Sequence, residues 1–280
     1  MAYLPLRTVA LPQASERFYD AWLDELDGRL SAPGADWHRI TRDTLFGLWY
    51  PGLSDYDALV ADPATPATAR AGLLALDPHN VTLEPEYYAD VDPDRYARVK
   101  PLHWLWQSFD RCPLGGGNVY LGVRFRRILA KHLFARVGKN FKCFHFVEFS
   151  YGYNMEVGDD CVIHRHVLLD DRGGITLGNR VSISDYANIY SHTHSIVDQK
   201  DVTNARTVLE DDVRITYHAT VLAGVRVARN AMVGAVAVAT RNVRPYHVNV
   251  GIPAKSIRVK PDAPPEAYLA ERVSQHHSES

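Results

Sequence analysis

The sequence predicts a mainly β chain that winds into a three-sided parallel β-helix behind a mostly helical N-terminal extension. Three observations predict it: helical spacing confined to the first half, a change of pattern near residue 137, and a six-residue repeat from Val157 onward. In chain order the first helix signal is Phe18, Trp22, Leu23, Leu26 and Leu30 at helical spacing, with Asp20, Asp24, Glu25 and Arg29 on the other side. Gly34 stands beyond it as a stop. Prolines 51, 63, 66, 78, 85, 93 and 101 punctuate the next stretch, separating a short helical piece around 67–76 from an aromatic segment with His103, Trp104, Trp106 and Phe109. A second amphipathic helix is expected from about Val119 to Val137, with Phe125, Ile128, Leu129, Leu133 and Phe134 on one side and Arg124, Arg127 and Lys131 on another. Its expected role is to deliver the chain into the repeat and cap its open end.

Cut every six residues from Val157, the chain reads VGDDCV and IHRHVL, is interrupted at 169–176 by LDDRGGIT, and resumes as LGNRVS and ISDYAN. After a second interruption beyond Ile189 the frame runs unbroken from Leu209: LEDDVR, ITYHAT, VLAGVR, VARNAM, VGAVAV, ATRNVR. An aliphatic residue keeps landing first and a small or β-branched one fifth. Such a period gives three short strands per turn of a triangular prism, each first-position side chain pointing inward onto its equivalent one turn away. Ala187, Ala219, Ala231 and Ala237 suit tight corners, and neighbouring Asn179, Asp185, Asp211 and Asn230 are expected to take left-handed backbone there. A β-sandwich would alternate with period two and has no reason to hold a six-residue frame. The expected organisation is an extension or cap at 1–136, the β-helix at 137–260 and a tail at 261–280.

A hydrophobic fraction of 46% with 23% charged residues is that of a soluble globular protein, so a sizeable core is expected. A net charge of -2 supplies no basic field for nucleic acid or an anionic membrane surface. Cys112, Cys143 and Cys161 form no CxxC pair and leave one over, which fits a reducing cytosol rather than a disulfide framework. No signal-peptide pattern and no apolar run of spanning length is seen, so a cytoplasmic, unprocessed protein is expected.

Four segments add specificity to the repeat: LDDRGGITLGNRVSIS at 169–184, IYSHTHSIVD at 189–198, the long loop before Val208, and VGIPAKSIR at 250–258. In them the chain from about 137 to 260 resembles the hexapeptide-repeat acyltransferases, especially the galactoside, maltose and nodulation-factor O-acetyltransferase branch. The resemblance implies a left-handed parallel β-helix and a homotrimer with active sites at subunit interfaces. It also implies acetyl-CoA as co-substrate, its pantetheine arm lying between adjacent prisms, and no metal.

Acyl transfer from a thioester needs a base on the attacking heteroatom and donors around the oxyanion. Imidazole, with an ordinary pKa near 6.5, suits the first task. His194 in HTHSI aligns with the family's catalytic histidine, and His192 is the alternate; the bland alternative is a loop histidine bonding its own backbone. Asp170 and Asp171 match an acidic pair that in the sugar-acetylating branch faces the acceptor, with Arg172 beside them; they serve equally well to cap the LDDRGG turn. Gly234 and Ala235 sit where the family's backbone meets pantetheine, and Arg241, Lys255 and Arg258 match basic positions near the phosphoadenosine, surface solvation being the alternative.

The sequence also departs from the family. Arg214 stands where a tryptophan often packs near the thioester, and VGAVAV lacks the usual serine. Asparagines that contact the acceptor in the sugar branch are replaced by Ile163, His164, Arg165 and His166, which makes His166 a candidate acceptor contact. The extension exceeds the family's short helical cap. If it lids the acceptor site, deleting residues 1–100 is expected to alter acceptor specificity more than CoA affinity. Two rival functions fit the same fold. One is a zinc hydro-lyase resembling the γ-class carbonic anhydrases, drawing on His164, His166, His192, His194 and His218, although H-x-H is not that family's spacing. The other is a scaffold that has lost catalysis.

Overall fold

The computed structural model describes residues 9–112, 114–115, 117–198 and 200–268. Among the described residues six α-helices precede the strands: α1 (Gln13–Ser31), α2 (Trp37–Trp49), α3 (Tyr56–Ala61), α4 (Ala67–Leu74), α5 (Pro93–Arg111) and α6 (Val119–Leu133). The expected first helix and short piece are α1 and α4. The expected second helix stops four residues early, because the chain turns extended at Phe134 and enters a strand at Arg136–Val137. Neither α2 nor α5 was expected. Side-chain caps start both, Asp36 accepting from Arg39 N and Asp92 from Arg95 N, and α5 holds Pro101 in its interior. Thr41 Oγ1 donates to the Pro101 carbonyl at 3.1 Å, pinning α2 to that point of α5.

From Arg136 the chain forms a parallel β-solenoid of about six turns. Its first face stacks Arg136–Val137, Met155–Val157, Ile175–Leu177, Thr207–Leu209 and Arg226–Val227. Its second face stacks Lys142–Cys143, Val162–Ile163, Ser182–Ile183, Arg214–Ile215, Met232–Val233 and His247–Val250, closed by the antiparallel strand Lys255–Val259. Its third face stacks Glu148–Phe149, Leu168–Asp170, Asn188–Tyr190, Thr220–Val221 and Val238–Ala239. Leu177 sits in register with Val157 and Leu209, Ile183 with Ile163 and Ile215, and Ile189 with Leu169 and Val221. All nine of these first-position side chains are fully buried, as the six-residue frame requires. The prism begins one turn before that frame becomes visible, because Cys143 and Phe149 occupy the inward positions and Phe141 a fifth position there.

The corners differ from one another. After the first face, Asp159, Asn179 and Asp211 form a ladder, each side-chain Oδ1 accepting a backbone N–H one turn earlier: Lys139 N at 2.7 Å, Asp159 N at 2.8 Å and Asn179 N at 2.8 Å. The left-handed residues there include Asn140, Asp160, Arg180 and Asp212, the last two lying one position beyond the Asn179 and Asp211 expected, and at the next corner Tyr186 rather than Asp185. Asn230 is left-handed, as expected. After the second face the left-handed positions are Phe146, His166, Tyr186, His218 and Val236. The rings of the first four stack in a column, at 5.0 Å from Phe146 to His166, 4.8 Å to Tyr186 and 4.9 Å to His218, which matches the roughly 4.8 Å strand spacing.

Helices α5 and α6 cover the open end of the prism. Trp106 Nε1 donates to the Val147 carbonyl at 2.9 Å, its ring meets Phe134 and Phe149, and Phe109 stacks on Phe125 at 3.8 Å. A buried Arg126–Asp110 ion pair joins the two helices, and Asp110 Oδ2 also accepts from Phe146 N at 2.6 Å. Among the described residues, no helix is long and apolar enough to cross a membrane.

Candidate active site

The third corner holds the candidate site. There the chain leaves the prism after Tyr190 and returns at Thr207, and the excursion forms a hairpin of His192–His194 with Val202–Asn204. Two residues apart on one extended strand, His192 and His194 share a side. Their rings lie edge to face, centroids 5.3 Å apart, and both line a cavity of about 600 Å³ with Tyr87, Tyr88, Arg172 and Lys200. His192 also borders a second cavity of about 350 Å³, which Glu84, Tyr88, Gln107 and Arg111 wall from the N-terminal half and Glu148 and Tyr190 from the prism.

Asp170 is buried beneath His192. Its Oδ2 pairs with the imidazole Nδ1 and accepts the backbone N–H groups of Ser191 at 3.2 Å and His192 at 3.3 Å, while Oδ1 accepts from Ser150 Oγ at 3.0 Å. An ionised carboxylate at Nδ1 places the ring proton there and leaves Nε2 as the basic nitrogen. The aspartate is thus turned to its histidine, and it also lines the smaller cavity. Asp171, the other acidic residue of the expected pair, is fully buried and accepts Tyr151 N at 2.7 Å and Asn154 N at 3.2 Å, a turn cap. Burial pushes its carboxyl up to about 6, against the pull of those backbone donors.

Arg172 lines both cavities but is held by Asp90, with Nη2 donating to Oδ1 at 2.7 Å and Nε to Oδ2 at 3.1 Å, and its guanidinium covers the Tyr88 ring. Asp90 also accepts from Tyr151 OH at 2.9 Å and Asn204 Nδ2 at 2.8 Å. Burial raises this carboxyl, but hydrogen bonds from Arg172, Asn204 and Tyr151 outweigh it and bring it down to about 2. Asp90 therefore joins extension, prism and loop at one point. Sequence reasoning missed Asp90, Tyr88, Gln107 and Arg111, since nothing in their spacing connects them to a corner so distant in the chain.

His166 is not at this site. It belongs to the ring column of the second corner, with His218, while His164 stacks on Phe144. The imidazoles of the zinc alternative are thus divided between two corners. The expected cofactor residues gather mainly on the second face and its corner. Arg214 is exposed there, three strands from Arg258 on Lys255–Val259 by register, and Lys255 is exposed on the same strand. Ala235 is exposed at the corner, whereas Gly234 answers to packing: an added Cβ would lie 2.6 Å from Val250 Cγ1. Arg241 is exposed beyond the third face. All three cysteines are buried, and burial raises each thiol, Cys161 to about 11, so none is poised as a thiolate nucleophile.

No family model matches the sequence. The chain is 27% identical over 140 residues to the galactoside O-acetyltransferase of Escherichia coli K12, a match spanning 49% of this chain and 69% of that one. Its fold matches a maltose O-acetyltransferase from Clostridium difficile 630 (TM-score 0.54, 23% identity, 63% of this chain and 92% of that chain). It also matches a hexapeptide-repeat acetyltransferase from Vibrio cholerae complexed with acetyl coenzyme A (TM-score 0.53, 21% identity, 66% of this chain and 100% of that chain). With the six-residue frame built as a parallel prism and a sequence relative of this kind, the chain is similar to the hexapeptide-repeat acetyltransferases, in sequence to a galactoside O-acetyltransferase and in fold to a maltose O-acetyltransferase.

Proposed function

We propose that this acetyltransferase moves an acetyl group from acetyl-CoA directly to a hydroxyl or amine of a small-molecule acceptor, in a ternary complex, with a loop imidazole as general base. The observation that supports it best is the cavity shared by His192 and His194, walled on one side by the N-terminal half. The base takes the acceptor proton as the heteroatom attacks the thioester carbonyl. The C–S bond then breaks, and the imidazolium returns a proton to the departing thiolate. No acyl-enzyme is involved, in keeping with the buried thiols. His194 is the base by its place in the HTHSI segment. The acceptor is a sugar or glycan precursor, in line with the names of the relatives.

A specific observation favours a second assignment within this mechanism: the carboxylate that fixes an imidazole tautomer is on His192. A screen of acceptors with labelled acetyl-CoA, run with His194→Ala and His192→Ala, tests both. Undiminished turnover in one variant removes that histidine as base, and in both it removes the mechanism.

The assembly that fits this reading is a homotrimer. In one protomer Arg214, Lys255 and Arg258 lie on the second face and the imidazoles at the third corner, so a site using both draws on adjacent copies. The N-terminal half then serves as a lid over the acceptor, placed by Asp90 and Arg172. The setting is the cytoplasm, where three unpaired thiols persist.

A further inference from the structure

We propose that His38, Asp77 and His79 form a binding site for a borderline divalent cation, zinc fitting best, that clasps helix α2 to the turn at residues 78–80. Among the described residues this is the grouping whose ligand atoms fall together: one from each side chain lies within 4.8 Å of the others. It is independent of the imidazoles at the prism corners.

Local structure explains the convergence. His38 is the second residue of α2. Asp77 caps the short 3-10 turn Pro78–Asn80, accepting from His79 N at 3.0 Å, and its Oδ1 pairs with His79 Nδ1 at 2.9 Å. Pro78 stiffens the step between the two ligands. His38 Nδ1 is buried with no hydrogen-bond partner, so this nitrogen has lost water and gained nothing in return. A metal ion supplies what it lacks.

The two imidazole rings stack with centroids 3.7 Å apart and planes 20° from parallel. Lone pairs lie in the ring planes, so stacked rings do not share an ion as they stand. The His79 side chain is 63% exposed and turns out of the stack when the ion enters. Two imidazoles and a carboxylate suit zinc and its neighbours and not magnesium or calcium, which prefer all-oxygen shells. Three protein ligands leave a fourth position. It opens on a cavity of about 400 Å³ lined by Glu86, Tyr96 and Lys100. The clasp also has a consequence for the lid, because the segment beyond His79 continues to Tyr88 and Asp90 at the acetyl-transfer cavity.

The test is calorimetric titration of the full-length, chelator-stripped protein with zinc and, separately, magnesium, repeated on His79→Ala and on the double variant His192→Ala, His194→Ala. Expected are one zinc per chain, at least a tenfold weaker affinity in His79→Ala, no change in the double variant, no magnesium binding, and a zinc-dependent rise in Tm that His79→Ala lacks. His79 is exposed, so its substitution leaves the fold intact. Absence of zinc binding, or binding that His79→Ala leaves unchanged, overturns the site. Loss in the double variant alone also overturns it, by placing the ion at the third corner.

Discussion

The carboxylate of Asp170 engages the Nδ1 of His192, across twenty-two residues of chain and one turn of the prism, and the histidine so held lines two cavities. Asp170→Asn keeps the shape and loses the charge that fixes the tautomer. If His192 carries the proton, kcat falls about 100-fold, the low end of a general base's contribution, while KM for acetyl-CoA moves less than about twofold. If His194 carries it alone, kcat falls less than about threefold. Steady-state kinetics on the single variant separates the two.

Asp90 and Asp171 predict opposite pH dependences. The folded Asp90 carboxyl lies at about 2, below its ordinary 3.8, so its stabilisation is complete above about pH 4 and lost as pH falls toward 2. The folded Asp171 carboxyl lies at about 6, above 3.8, so the cost of its buried charge is full above pH 6 and relieved as pH falls from 6 to 4. Urea midpoints measured against pH should lose their slope between 4 and 6 in Asp171→Asn and between 2 and 4 in Asp90→Asn.

Gly178 and Gly28 make a matched pair. A Cβ on Gly178 would sit 2.5 Å from Asp211 Oδ1 and 2.6 Å from Asp211 N, inside the first-corner ladder, and Gly178→Ala should cost about 1–3 kcal/mol. Gly28 lies in α1 with nothing within 4 Å of an added Cβ, and Gly28→Ala should stabilise by about 0.5–1 kcal/mol. Thermal melts that reverse this order would refute the packing described at the corner.

Asp110→Ala would strand the buried Arg126 guanidinium and leave Phe146 N without its acceptor. A loss of about 3–5 kcal/mol is expected, the range for half of a buried ion pair. The proximity of α5 to the prism also changes the truncation experiment. Cutting at residue 100 falls inside α5 and exposes Trp106 and Phe109, so folding would fail before specificity is reported. Gln107→Ala and Arg111→Ala, at the cavity wall, ask the same question with the fold intact, and acceptor preference should shift while KM for acetyl-CoA holds.

The prism was legible because its core is periodic: Leu177, Ile183, Leu209 and Val227 announce the frame that their burial obeys. Its first turn was not, because Cys143 and Phe149 fill inward positions without looking aliphatic. Helix α5 stayed hidden behind Pro101, whose missing N–H normally argues against a helix interior. At the corners, Tyr186 adopts left-handed backbone that its residue type disfavours, with its ring stacked on those of His166 and His218 in the turns on either side. The HTHSI histidines were visible in sequence, but their partners were not. The partner of His192, Asp170, lies one whole turn earlier in the chain, so no local spacing joins the two.

The excursion from Ser191 to Arg206 begins and ends at one corner, and the strands on either side keep their alignment, Ile189 beside Val221 and Leu209 beside Leu177. The core therefore never registers how long that detour is. Lengthening or shortening the arm reshapes the proposed acceptor site while every inward side chain keeps its neighbours, so on that proposal new acceptors are open to this scaffold through changes at a single vertex.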